Sequence, residues 1–93
     1  MDNQEAKAML TTKLAEYRKL SYANLVAKIG DNDCLEVSSP TGVDYQIEVQ
    51  FLWDDKPGGD VRVMAGIDDG GWRAFMPLCD SFIVAPDGRF VGE

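Results

Sequence analysis

Apolar and polar residues alternate from Val43 to Asp54, and this is the cleanest pattern in the chain. The apolar members are Val43, Tyr45, Ile47, Val49, Phe51 and Trp53. The polar members are Asp44, Gln46, Glu48, Gln50 and Asp54. Because successive side chains of a strand point to opposite faces, the pattern predicts one long strand that is buried on one side and wet on the other.

A second alternating stretch, from Val61 to Pro77, predicts a β-hairpin. Its apolar positions are Val61, Val63, Ala65 and Ile67 in the first arm, and Trp72, Ala74 and Met76 in the second. The turn is either two residues, Asp69-Gly70, or a four-residue loop from Asp68 to Gly71. Both turns place Ile67 opposite Trp72 and Val63 opposite Met76.

The first thirty residues predict helices. Residues 4–19 are rich in Ala, Leu, Lys and Glu and contain no Gly or Pro. An apolar stripe follows helical spacing at Ala6, Leu10, Leu14 and Tyr17. Ser21 is a typical N-cap for a second helix, and Gly30 a typical left-handed C-terminal residue. Two short helices at an angle are favoured over a single bent helix.

Shorter strands are predicted at Cys34 to Ser38 and at Phe82-Ile83-Val84, with a last short strand at Arg89-Phe90-Val91. The whole chain, residues 1–93, then forms a single α+β domain. Two N-terminal helices pack on one face of a four- to five-stranded antiparallel β-meander. The predicted core comprises Leu10, Leu14, Tyr17, Leu25, Val26, Ile29, Ile47, Val49, Phe51, Val63, Ile67 and Trp72.

Charge narrows the choice of partners. The 93 residues carry a formal net charge of -7. Residues 1–29 hold five basic and three acidic groups, whereas residues 30–93 hold four basic and thirteen acidic groups. Such a surface repels nucleic acid and favours basic partners. No apolar run approaches the roughly 18 residues of a membrane span, and the polar start has no secretory pattern, so we expect a cytoplasmic protein.

Few residues suit catalysis or metal binding. The chain has no His, and Cys34 and Cys79 are far apart, which favours two buried thiols in a reducing cytoplasm over a disulfide. The paired carboxylates, Asp54-Asp55 and Asp68-Asp69, fall in predicted turns, where Asp is common for backbone reasons. No calcium loop or phosphate-binding loop is present. We therefore expect neither an enzyme nor a bound cofactor.

The wet face of the predicted sheet is the candidate site. If Trp53 pairs with Val61, Gln50 lies beside Met64 and Glu48 lies across Gly66 from Arg73. The interaction-surface residues are Arg62, Met64, Arg73, Phe75, Glu48 and Gln50, because Arg and aromatic residues are favoured at protein interfaces. Isolated apolar residues on open faces are also ordinary, and the final strands would be able to cover them.

These features predict a non-enzymatic interaction module that docks a protein partner or itself, as a monomer or weak homodimer. The alternative is a protein that binds a small ligand or a divalent cation with its acidic loops.

Three segments carry a resemblance to known proteins. They are the run from Phe51 to Val63 with its Trp-Asp-Asp-Lys-Pro-Gly-Gly-Asp core, the run from Ile67 to Phe75, and the ending Ala85-Pro86-Asp87-Gly88. In these segments, and over nearly its whole length, the chain resembles a family of small uncharacterised bacterial proteins. The resemblance implies a stand-alone bacterial domain and implies no activity or catalytic residue.

Overall fold

The computed structural model describes residues 2–70 and 77–93, and these residues form an α+β fold with a four-stranded antiparallel sheet. The helices and strands are α1 (Asn3–Tyr17), α2 (Tyr22–Ala27), β1 (Asn32–Ser38), β2 (Asp44–Trp53), β3 (Val61–Asp68) and β4 (Leu78–Val84). The strands lie in sequence order, β1-β2-β3-β4. Each strand is therefore antiparallel to the next one in the chain, as in a meander.

The two helices begin where the side chains can cap them. The carboxylate of Asp2 accepts a hydrogen bond from the Glu5 amide at 3.1 Å, and the Ser21 hydroxyl accepts one from the Asn24 amide at 3.1 Å. Gly30 has a φ of 91°, the left-handed conformation predicted after the second helix. Its amide donates to the Phe51 carbonyl at 3.2 Å, which attaches the end of this turn to the sheet.

The pairing of β2 with β3 confirms the predicted register. Trp53 is opposite Val61, and Gln50 is opposite Met64. Burial along β2 follows the alternation of the sequence. The odd positions are at most 3% exposed, and the even positions between them are exposed; the odd positions are Tyr45, Ile47, Val49 and Phe51. One face of this strand pair therefore lies in the core and the other in solvent.

The predicted second arm of the hairpin is wrong as the partner of β3. Val63 lies opposite Phe82 and Ile67 opposite Leu78, so β3 pairs with β4 and not with residues 72–76. Residues 72–76 lie outside the described part of the chain. The alternation of residues 72–76 and the turn after Asp68 favoured the nearer segment. Burial decided for β4, because Phe82 and Val84 are each 3% exposed within the core.

The predicted final strand is reduced to one isolated bridge, between Val84 and Phe90. The Ala85 amide donates to the Arg89 carbonyl at 2.8 Å and the Val91 amide donates to the Ile83 carbonyl at 2.9 Å. This segment folds back along the outer side of β4. Part of that edge of the sheet is thereby hydrogen-bonded.

The core agrees with the prediction at Leu10, Leu14, Leu25, Ile47, Val49, Phe51, Val63 and Ile67, all of them buried. Tyr17, Val26 and Ile29 are only partly buried, and Trp72 lies outside the described residues. The buried residues that the predicted core omitted are Ala6, Tyr45, Val61, Ala65, Phe82, Val84 and Ala85. The main contacts of α1 are with β3 and β4, so the helix lies towards that half of the sheet.

Candidate functional site

The open face of the sheet is formed by the even positions of β1, β2 and β3 together with Cys79, Ser81 and Ile83 of β4. One row of cross-strand neighbours runs over all four strands as Cys34, Glu48, Gly66 and Cys79. The next rows bring Gln50 beside Met64, and Leu52 beside Arg62. Met64 and Leu52 are each 36% exposed, so this face carries apolar side chains in water.

Gly66 makes a notch in the open face, since it has no side chain between Glu48 and Cys79. Gly66 lines a shallow depression of about 300 Å³, and a second one of about 280 Å³ lies beside it towards β1. Glu48 and Asp68 line both of them. A Cβ atom at Gly66 would lie 3.5 Å from the Cβ of Pro77, which is ordinary contact distance. The notch is therefore bounded by Pro77 and is open on the side of Glu48.

The depressions are acidic. Glu48 and Asp68 line both, and Glu36 lines the second one. Glu48 accepts a hydrogen bond from the Gln50 amide group at 3.0 Å, which orients two of the predicted surface residues towards each other. A cationic or hydrogen-bond-donating group suits these walls better than an anion.

Arg62 is on the open face as predicted, but its guanidinium group is already engaged. It contacts the Asp54 carboxylate through two nitrogens, at 2.7 and 2.9 Å, and reaches the Ser81 hydroxyl at 3.4 Å. Both nitrogens contact the same oxygen, Oδ1, and these charged hydrogen bonds hold the arginine in one orientation. The described part of the face therefore presents Glu48, Gln50 and Met64 more freely than Arg62. The other two predicted residues, Arg73 and Phe75, lie outside the described residues.

The prediction of two buried thiols is wrong. Cys34 and Cys79 are both exposed and both free. Cys34 shares its side of β1 with Glu36, and this period-two relation was the signal in the sequence that the buried assignment overlooked. Strands β2 and β3 separate the two cysteines. Three spacings of about 4.8 Å exceed the roughly 7 Å that a disulfide allows between Cα atoms.

A polar cluster, partly exposed to solvent, joins the start of α1 to the turn between β1 and β2. The Glu5 carboxylate accepts hydrogen bonds from the Thr41 hydroxyl at 2.9 and 3.0 Å and from the Tyr45 hydroxyl at 2.9 Å. The bond from Thr41, and to a lesser degree those from Ser39 and Tyr45, lower the pKa of Glu5. Burial, helped by the nearby carboxylate, raises the pKa of Tyr45 to about 12. Sequence reasoning missed this cluster.

A second polar cluster joins the end of α1 to the start of β1. The Tyr17 hydroxyl donates to Asp33 at 2.7 Å, and the Lys28 ammonium approaches the same carboxylate at 3.1 Å. The hydrogen bond from Tyr17, together with Lys28, lowers the pKa of Asp33. Lys28 also lies 4.9 Å from the centre of the Phe51 ring. Through these contacts both clusters fasten α1 to the sheet.

Of the acidic turn pairs, Asp68 makes a turn hydrogen bond as predicted, whereas the Asp54 carboxylate binds an arginine. Asp68 accepts a hydrogen bond from the Gly70 amide at 2.8 Å, and Asp54 holds Arg62. Among residues 2–70 and 77–93, no group of three or more Cys, Asp or Glu side chains is placed to hold a metal ion. Over the same residues, no helix has the length and apolar content to cross a bilayer. Binding of a divalent cation by the acidic loops stays a prediction.

Comparison with protein-family models, with curated proteins and with solved structures finds no match for this chain. The resemblance to a family of small bacterial proteins therefore stays a prediction. Functional inference rests on the residues themselves.

Proposed function

We propose that this chain is a non-enzymatic interaction module of the cytoplasm, with both helices covering one face of the sheet and a basic protein partner docking on the other. The observation that carries the proposal is the pairing of exposed Met64 with the acidic depressions beside Glu48. Apolar contact supplies affinity at an interface, and complementary charge supplies orientation and a faster encounter.

The geometry of β2 and β3 supports this use of the face. The same backbone that exposes Met64 and Glu48 buries Val49 and Val63 on its other side, so the surface is held on two well-packed strands. A rigid surface loses little conformational entropy when it binds. The net charge of -7 adds a long-range attraction for a basic partner.

The test compares two charge reversals in the tagged protein, purified from the cell that makes it. Glu48→Lys changes the wall shared by both depressions, and Asp31→Lys makes the same change of charge at an exposed turn outside the open face. We expect the Asp31 variant to retain the co-purifying partner and the Glu48 variant to lose it, with unchanged circular dichroism in both. Equal retention by both variants, or a wild-type protein that brings no partner, would contradict the proposal.

A further inference from the structure

The outer edge of β1 presents free backbone hydrogen-bonding groups. The Ser39 amide donates to the Val43 carbonyl at 2.8 Å, which shows that the backbone of this residue faces β2. Since the amide and carbonyl of a strand residue point to one side and alternate along the strand, the odd positions of β1 face β2 and the even positions face outward. The outward residues are Asn32, Cys34, Glu36 and Ser38. Within the described residues, no strand pairs with them.

A groove lies beside this edge, on the helical side of the sheet. It has a volume of about 510 Å³, and its lining includes Met9, Thr12 and Lys13 of α1 with Val37 and Pro40 near the end of β1. Because α1 lies mainly against β3 and β4, Leu35 and Val37 are only partly buried. A further strand added to β1 would direct alternate side chains towards this groove.

We propose that the added strand is β1 of a second copy of this chain, which makes a two-fold symmetric dimer with one continuous eight-stranded sheet. In the antiparallel register centred on Leu35, this residue faces Leu35 of the second copy. Cys34 faces Glu36 of the second copy, and both belong to the outward set, so they exchange two backbone hydrogen bonds. The two leucines form a non-hydrogen-bonded pair, in which the side chains approach most closely.

The side chains of β1 place no two like charges directly opposite each other in this register. Asp33 faces Val37 of the second copy and Glu36 faces Cys34, while the two Glu36 side chains are diagonal neighbours across the two-fold axis. Asp33 already has Lys28 and Tyr17 as partners and brings no unpaired charge to the interface. A closed two-fold pairing uses up the free edge of both copies, and this prevents open-ended association.

The net charge of the two copies opposes dimerisation, so the dissociation constant of the dimer should depend on salt concentration. Each copy carries -7, so two copies repel each other over a distance set by the ionic strength. Hydrogen bonding and apolar contact at β1 depend little on salt. Dimerisation therefore strengthens as salt is added, opposite to the behaviour of an interface held by complementary charges.

Two double variants that differ only at residue 32 test the register by sedimentation equilibrium. In the dimer, residue 32 of one copy faces residue 38 of the other. Within each copy, Asn32 is opposite Gln50 of β2 and Ser38 is opposite Asp44. Asn32→Lys with Ser38→Lys sets like charges opposite each other across the two-fold axis. Asn32→Asp with Ser38→Lys sets opposite charges there. We expect the first variant to dissociate with a constant about tenfold higher than the second.

The wild-type chain is expected to show a reversible equilibrium towards twice its mass of 10.3 kDa, shifted towards the dimer by added salt. If the chain stays monomeric at every concentration up to about 1 mM, the proposal is overturned. Binding of an extended peptide from another protein to β1 would not rescue it. Equal dissociation constants for the two double variants would also overturn it. A third variant, Glu36→Pro, removes one outward amide without touching a bond to β2, and it must weaken the dimer more than Glu36→Val.

Discussion

The two faces of the β2–β3 pair have one backbone and one register and differ in nearly everything else. On the inner face, Ile47, Val49, Val63 and Ile67 are at most 1% exposed. On the open face, between them, lie Glu48, Gln50 and Met64, all exposed. The inner set is constrained by the space that neighbouring side chains leave. The side chains of the outer set contact solvent or a bound partner. Substitutions on the inner face should therefore change stability, and substitutions on the open face should change binding.

The largest effect separates the two faces at adjacent positions. Ile47→Ala leaves a cavity in the core and should lower the free energy of unfolding by about 2–5 kcal/mol, measured by urea denaturation. Gln46→Ala, one residue away on the open face, should change it by no more than about 0.5 kcal/mol. If the two substitutions cost the same, the inner and outer faces do not differ as described.

The next effect concerns the one hydroxyl group buried on the inner face of β2. Tyr45→Phe removes the hydrogen bond to Glu5 and keeps the ring, so the free energy of unfolding should fall by about 1–2 kcal/mol. Thr41 still donates to the carboxylate, which limits the loss. Tyr22→Phe is the matched control, because its part-buried hydroxyl donates to an uncharged acceptor, the Gly59 carbonyl, at 2.8 Å. A loss at Tyr45 no larger than the loss at Tyr22 would contradict this account.

Acid should weaken the same contact. Folding lowers the pKa of Glu5 below its usual 4.5, so the unfolded chain binds this proton more readily than the folded chain does. The stabilisation is therefore complete above about pH 4.5 and is lost as the pH falls through the folded pKa. Thermal melting between pH 6 and pH 3 should show a smaller decrease for Glu5→Gln than for the wild type. An identical pH dependence in the two proteins would remove Glu5 from this role.

The smallest effect has the opposite sign and lies on the open face. Gly66 has no positive φ, and a Cβ there meets Pro77 at ordinary contact distance, so Gly66→Ala should fold without strain. It should raise the free energy of unfolding by about 0.4–1 kcal/mol, because alanine restricts the unfolded chain. The added methyl group partly fills the notch. A more stable protein with weaker partner binding would locate binding at the notch, and unchanged binding would argue against it.

The sequence alone determined the parts of this protein that depend on local periodicity. The alternation correctly predicted which face of β2 is buried from Tyr45 to Phe51, because side chains on a strand can only alternate. The prediction was wrong at Val43, which precedes β2 and is 39% exposed. The Ser21 cap and the Gly30 turn were predictable for the same reason, since each depends on neighbouring residues. The register of β2 with β3, which the sequence analysis took as a condition, agrees with the structure.

Only the tertiary structure decided which distant segments meet. Residues 72–76 alternate and residues 78–84 do not, yet the second segment pairs with β3, because burial of Phe82 against the core, which no local pattern encodes, decides the partner. The exposure of Cys79 and the contact of Glu5 with Tyr45 likewise depend on how the chain returns over itself. Local conformation is set within a few residues, whereas pairing and burial are set by competition among all segments for one core.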